Sequence, residues 1–529
     1  MTLYDKINEY SASDAYPFHM PGHKRRAAFL CEPAAIDITE IDGFDNLHHA
    51  EGILQEAQMR AAALYGSSET HFLVNGSTAG VLSAICACAA PGSRLLMARN
   101  SHRSAYHAAA LSRLQTLYLY PSQEGSAAAL PDSCPVDPDR VAHALKSCKD
   151  ICAVFVTSPT YDGVVSDVKR IADIAHQYGV PLIVDEAHGA HFGMHEIFPE
   201  SSVKLGADLV IHSLHKTLPA LTQTALIHVN GTLADRRRLR WYLRVFQTSS
   251  PSYVLMASID QCIQLLSQKK DVLFDAYADR LRRFYERTAL SHYTFLRTDD
   301  PSRILICPPS PDHTVSADPS AAMQLYHTLR ERFHLQPEMA APSGVLMLSS
   351  VCDDEEGFER LSRALLTLDE EYGAYGSTGS GQQSFLTHTD PSGLGTASDR
   401  QLPDISGLRT VSDRPLSGPT SLRTVSARPL SDTSGLRSAS VSTPEPQICC
   451  TIAEAMDAKA EAVAFSEAAG RISAEFLMQY PPGVPLLVPG ERISEEILRL
   501  TARLQNSGYS MQGPDDHSLR YIRVLRERN

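Results

Sequence analysis

Two residues 31 positions apart are the chain's clearest candidates for chemistry: Asp185, in Asp185-Glu186-Ala187-His188, and Lys216, in Ser213-Leu214-His215-Lys216. A lysine amine forms a Schiff base with an aldehyde. A buried carboxylate raises the proton affinity of a heterocyclic nitrogen beside it, so the pair can tether an electron-withdrawing ring and keep it cationic. Taken singly, an Asp and a Lys are more often a buried acid and a surface cation. Their company changes that balance. Asn75-Gly76-Ser77-Thr78-Ala79-Gly80 follows the strand-like His71-Phe72-Leu73-Val74 and opens a helix-like run over residues 79–89. First-turn amides lack internal partners, Gly76 lets an oxygen approach, and the Ser77 and Thr78 hydroxyls add donors, which together make an anion site. An ordinary N-cap uses the same residue types. Ser213 and His215 can supply further phosphate donors from the other side. An aldehyde, a protonated ring and a phosphate describe pyridoxal 5'-phosphate, with Lys216, Asp185 and the turn at residues 76–78 as its three anchors.

Such side chains act together only if the elements beneath them end on one edge. Residues 180–184 and 207–212 are short apolar runs that read as buried parallel strands, and in open α/β sheets ligands bind beyond the carboxyl ends of such strands. Further strand-like runs at 94–97, 151–157 and 225–228 alternate with amphipathic stretches such as 168–178, which predicts a largely parallel sheet with helices on both faces. Strands at 303–307 and 345–350 with helices at 321–333 and 355–371 suggest a smaller α+β layer, and 452–480 and 494–505 read as helical. The expected division is an N-terminal arm at 1–55, a large α/β domain at 56–270, a small α+β domain at 271–372, a linker at 373–447 and a C-terminal domain at 448–529. The linker is rich in Ser, Gly, Thr, Pro and Arg, carries a 14-residue repeat starting at Leu394, Leu408, Leu422 and Leu436, and reads as disordered.

Several function classes drop out. Asp185-Glu186-Ala187-His188 spells a helicase box, yet no G-x-x-x-x-G-K-[ST] loop exists to hold nucleotide phosphates. His188, His191 and His195 are interrupted by Gly189 and Gly193 and lack a completing ligand set, so no metal is expected. The net charge of −13 disfavours nucleic acid, and no stretch has the apolar length to cross a bilayer. An N-terminus without a basic start and apolar core, with eleven scattered cysteines, points to the cytoplasm.

Beyond these residues the order of motifs resembles one family. Pro21-Gly22-His23-Lys24, Asn100-Ser101-His102-Arg103-Ser104, Ser158-Pro159-Thr160-Tyr161-Asp162-Gly163, His212-Ser213-Leu214-His215-Lys216-Thr217, Gln247-Thr248-Ser249-Ser250-Pro251 and, near the end, Tyr480-Pro481-Pro482-Gly483-Val484-Pro485 and Pro489-Gly490-Glu491 are similar to those of the Orn/Lys/Arg decarboxylases. The resemblance implies an α/β, PLP-dependent transferase-like (fold type I) large domain with a mostly parallel sheet, a smaller α+β domain and a small C-terminal domain. It corresponds to a short form without the family's receiver-like N-terminal domain. By the same resemblance His102 lies on the cofactor ring and Ala187 on its other face, while His188 and Ser158 sit near the phenolic oxygen. His23 and Lys24 line the substrate entrance. Thr248 and Ser249 reach across a dimer interface toward the neighbour's phosphate. Glu491 is a candidate partner for the substrate's distal cation, or a solvated glutamate. The implied activity is decarboxylation of a basic amino acid, arginine ahead of lysine or ornithine, for polyamine synthesis, with Lys216 or His188 returning a proton to Cα. An aminotransferase or aldolase on the same scaffold, or a noncatalytic homologue, is the alternative.

Overall fold

Runs of Val, Ile and Leu become the interior of a seven-stranded sheet in the computed structural model, which describes residues 10, 12–24, 33, 36–120, 133–309, 319–376, 445–480 and 483–526. In spatial order the strands are Glu69–Leu73, Ala225–Val229, Leu209–Ser213, Leu182–Asp185, Ile151–Thr157, Arg94–Ala98 and Gln115–Leu119. The last five are mutually parallel, whereas Ala225–Val229 is antiparallel to both of its neighbours.

Both faces of the sheet are covered, which is why its central strands lack polar alternation. Ile183 and Ile211 pack with Val81, Ile85 and Ala105 from helices Gly76–Cys88 and Arg103–Leu111. Their neighbours Val184 and Val210 point the other way, toward Ile171 and Ile259 from helices Val168–Gln177 and Tyr253–Arg287. Full burial of each such side chain stabilises the fold by roughly 1.5–3 kcal/mol. The edge strand Gln115–Leu119 escaped the sequence reading because most of its residues are only partly buried and carry a weak apolar signal.

A second, antiparallel sheet has the order Met339–Ala341, Gly344–Leu348, Arg303–Cys307, Thr294–Leu296. Helices Pro319–Glu331 and Glu355–Gly376 accompany it, and Tyr16–Phe18 pairs in parallel with Leu335–Pro337, tying the beginning of the described chain to this unit. Helix Tyr253–Arg287 is continuous for 35 residues through the boundary expected at 270.

The C-terminal part departs from its expectation. Residues 452–480 are not one helix: Ile452–Asp457 is helical, Ala460–Ala464 is a strand antiparallel to Tyr521–Leu525, and Leu477–Gln479 is the middle strand of a small sheet. Alanine and glutamate favour a helix locally, but pairing with Tyr521–Leu525 overrides that preference. Helix Glu495–Asn506, capped by Ser494, falls where the sequence placed it. Most of the repeat-bearing segment, 377–444, lies outside the described residues.

Candidate active site

Parallel pairing brings the two candidate residues to one edge. Asp185 is the last residue of its strand and lies in register with Ile211 of the next, which continues through Ser213 into the one-turn helix Leu214–Thr217 carrying Lys216. A cavity of about 350 Å³ opens there, lined by Gly76, Ser77, Thr78, Asn100, His102, Asp185, Ala187, His188, His215 and Lys216. The small-residue turn, the helix start at His102 and both chemical residues therefore share one space.

Burial sets the charges inside it. Desolvation pulls the Lys216 amine down to about 8, with the Asp185 carboxylate opposing the shift. Its Nζ lies 2.8 Å from His188 Nε2. Burial likewise pushes the Asp185 carboxyl above the usual range, opposed by Lys216, by the Ala187 amide donating to Asp185 Oδ1 at 3.1 Å, and by His212. His188 is held neutral well below its ordinary value, first by desolvation and then by Lys216. Desolvation lowers His102 to about 3 and His215 to about 4. The pocket thus presents neutral imidazoles around one depressed amine and one buried acid, an arrangement that needs a polar ligand to complete it.

The residues fit pyridoxal phosphate. Gly76 has φ +73°, a left-handed conformation, and a side chain added there would meet nothing within 4 Å. Asn75, at the cap of helix Gly76–Cys88, makes no side-chain capping bond, and although the Gly76 amide donates to the Gln223 carbonyl at 3.0 Å, the helix start leaves the amides of Ser77 and Thr78 to face an anion. Among the described residues, His188 Nδ1 and Thr157 Oγ1 on the cavity wall are buried without a hydrogen-bond partner, a cost that a polar ligand would relieve, and Ser213 Oγ is likewise unpartnered but does not line the cavity. His102 caps helix Arg103–Leu111 through its ring, Nδ1 lying 2.9 Å from Ser104 Oγ, which fixes the imidazole plane at the cavity wall.

Other expected contacts fall elsewhere. Ser158 is not on the cavity wall: its Oγ accepts the Ser166 amide at 3.1 Å, and Thr157 and Thr160 line the space instead. A one-residue step at a strand end exchanges faces, and composition alone does not resolve it. Lys24 is buried away from the cavity, its Nζ donating to the carbonyls of Pro17, His19 and Leu348 with Asp353 3.8 Å away. His23 is also buried off the wall, which Met20 reaches in its place. Glu491 accepts from Arg99 at 3.2 Å and from the Val488 amide at 2.8 Å and does not line the cavity. Thr248 and Ser249 are exposed and outside this chain's cavity wall, although the Thr248 amide donates to Asn75 Oδ1 at 3.3 Å beside the phosphate turn.

The sequence reading also missed wall residues. Tyr161 and Glu338 line the cavity, and the Tyr161 hydroxyl and the Met20 amide both donate to Glu338. Gln479, Tyr480, Val484, Pro485 and Leu486 come from the C-terminal unit. A lone acid directly before the apolar run Met339-Ala340-Ala341 was the available signal for Glu338.

The Orn/Lys/Arg decarboxylase major domain matches residues 1–304 and that family's C-terminal domain matches residues 437–525. An uncharacterized Bacillus subtilis protein, YaaO, is 31% identical over 97% of this chain and 95% of its own length. A Bacillus subtilis arginine decarboxylase is 27% identical over 99% of this chain and 98% of its own. The Escherichia coli constitutive lysine decarboxylase structure superposes with a TM-score of 0.69 at 18% identity, covering 99% of this chain and 81% of that one, which establishes the shared fold. With those matches spanning both the sheet that carries Lys216 and the unit that closes over it, the chain belongs to the Orn/Lys/Arg decarboxylases, which use pyridoxal phosphate to remove the carboxyl group of a basic amino acid.

Proposed function

We propose that the substrate is arginine, ahead of lysine or ornithine, and that the amine formed feeds polyamine synthesis. The observation that carries the choice of a distal cation is Glu338. Among the described residues two acids line the cavity, and with Asp185 given to the ring nitrogen, Glu338 is left to face the substrate. Two donors already hold its carboxylate, and a carboxylate has room for about four, so it remains able to accept from a guanidinium. The planar fork of arginine matches a carboxylate better than an ammonium does. The arginine decarboxylase relatives at about 27% identity favour the same choice.

Bound in this pocket, the cofactor supplies a sink for the electron pair left when the bond from Cα to the carboxyl group breaks. Lys216 Nζ would hold its aldehyde carbon, Asp185 would keep the ring nitrogen protonated, and Gly76, Ser77 and Thr78, with Ser213 and His215, would hold the phosphate. His102 and Ala187 would confine the ring between them. Lys216 Nζ and His188 Nε2, 2.8 Å apart, form the pair from which a proton is returned to Cα. Neutral His188 suits that role because it accepts from the amine without competing for positive charge. We further read the exposed Thr248 and Ser249 as donors to the phosphate site of a second copy, which makes a homodimer the working form. The ten described cysteines are all free thiols, in keeping with a cytoplasmic protein.

Incubation of the cofactor-loaded chain with arginine, lysine and ornithine separately, scoring agmatine, cadaverine, putrescine and carbon dioxide, tests the assignment. Agmatine as the main product is expected. Keto acid or aldehyde without carbon dioxide would replace the reaction, and cadaverine or putrescine in excess would replace the substrate.

A further inference from the structure

The cavity wall contributed by the C-terminal unit has to be held against a sheet from which it is separated by hundreds of residues of sequence. One buried cation bridges the two. Arg99 follows directly on strand Arg94–Ala98, three residues before His102, and is only 4% exposed. Its guanidinium donates to the carbonyl oxygens of Pro485 at 2.6 Å and Leu486 at 3.2 Å, both of them wall residues, and to the Tyr106 hydroxyl at 2.9 Å. It also donates to Glu491 Oε2 at 3.2 Å. The same carboxylate oxygen accepts the Val488 amide at 2.8 Å, closing the turn that follows the wall. Only a planar head with five donors can serve these separate acceptors at once, which an ammonium cannot do.

We infer that Arg99, with Glu491, is a positioning pair that holds the wall at residues 483–486 over the substrate side of the active site. Gly483 completes the contact: its carbonyl accepts the Arg103 amide at 3.3 Å, and a side chain added there would come within 3.6 Å of the His102 ring. The wall is therefore registered against the very imidazole proposed to lie on the cofactor. Glu491 acts on the substrate through Arg99 and the turn, not by contact. The phosphate turn and Lys216 follow other strands, so the cofactor's phosphate and aldehyde anchors do not depend on this pair, which reaches the cofactor only through the His102 ring. The inference rests on the cavity being the active site, as proposed above.

The test uses cofactor-loaded Arg99→Met, Arg99→Lys and Glu491→Gln chains. Amide hydrogen exchange at residues 483–487 should quicken by about tenfold or more in Arg99→Met while residues 209–213 stay protected. KM for the amino acid decarboxylated should rise about tenfold, a change worth about 1.4 kcal/mol of binding, with cofactor affinity changing by a much smaller factor because its phosphate and Lys216 anchors stay in place. Arg99→Lys should fall between the two. Glu491→Gln keeps the shape of the site and should move both readings the same way by a smaller factor, which decides the matter if Arg99→Met does not fold. Unchanged exchange at 483–487 in a folded variant, or a loss of cofactor affinity equal to the rise in KM, overturns the inference. The exchange measurement needs no substrate, so it stands or fails separately from the identity of the amino acid.

Discussion

Raising the pH over the cofactor-free chain probes the central residue directly. Burial lowers the Lys216 amine from 10.5 to about 8, so its neutral, nucleophilic fraction at pH 7 is about 9%, against about 0.03% for an unperturbed lysine. That is a gain of about 300-fold. Deprotonation creates the reactive form, so the rate of cofactor capture should climb about tenfold per pH unit below 8 and level off above it. Stopped-flow absorbance on mixing with pyridoxal phosphate between pH 6.5 and 10 follows this, with borohydride reduction and peptide mapping to locate the adduct on Lys216. In Asp185→Asn the plateau should begin at lower pH, because the Asp185 carboxylate is what opposes the depression. A rate that keeps rising through pH 10, or an adduct on another lysine, would refute the reasoning.

Loaded with cofactor, Asp185→Asn should lose roughly 10²–10³-fold in kcat, the scale of a lost electrostatic contact to developing charge, and kcat at saturating substrate measures it. Glu338→Gln removes a charge-assisted hydrogen bond of roughly 1.5–3 kcal/mol, so KM for a basic amino acid should rise about 10- to 150-fold while visible absorbance of the bound cofactor is unchanged. Gly76→Ala places a side chain at φ +73°, a cost of roughly 1–2 kcal/mol at the phosphate turn, and equilibrium titration should show weaker cofactor binding together with a lower melting temperature. Ser158→Ala should leave substrate and cofactor affinity within about twofold in the same assays and Thr157→Val should not, because Thr157 lines the cavity and its hydroxyl has no partner among the described residues.

Sequence legibility followed locality. The strands leading to Asp185 and Lys216 were readable because short apolar runs buried on both faces leave no alternation, whereas the turn at Gly76, whose residue types also suit an ordinary N-cap, was readable only in the company of those two residues. Lys24 and Glu491 were misplaced for a common reason: each sits in a recognisable motif, but its side chain is claimed by partners distant in sequence, Leu348 and Asp353 for one and Arg99 for the other. The choice between Ser158 and Thr157 turns on which face of a strand end is presented, which depends on register. Glu338 and the wall residues Tyr480, Val484, Pro485 and Leu486 depend on the packing of separate units, and no spacing rule encodes that.

Because the sheet and the lid of its pocket lie at opposite ends of the message, the ribosome finishes them at different times. A nascent chain reaching only the Glu355–Gly376 helix already holds Lys216, Asp185 and the phosphate turn, yet lacks Tyr480, Val484, Pro485 and Leu486. Such a fragment could capture its coenzyme with one side open to water, where protonation and hydrolysis compete with productive turnover. Efficient catalysis therefore begins only when translation has delivered Leu486, and until then the uncapped pocket leaves its coenzyme open to those side reactions.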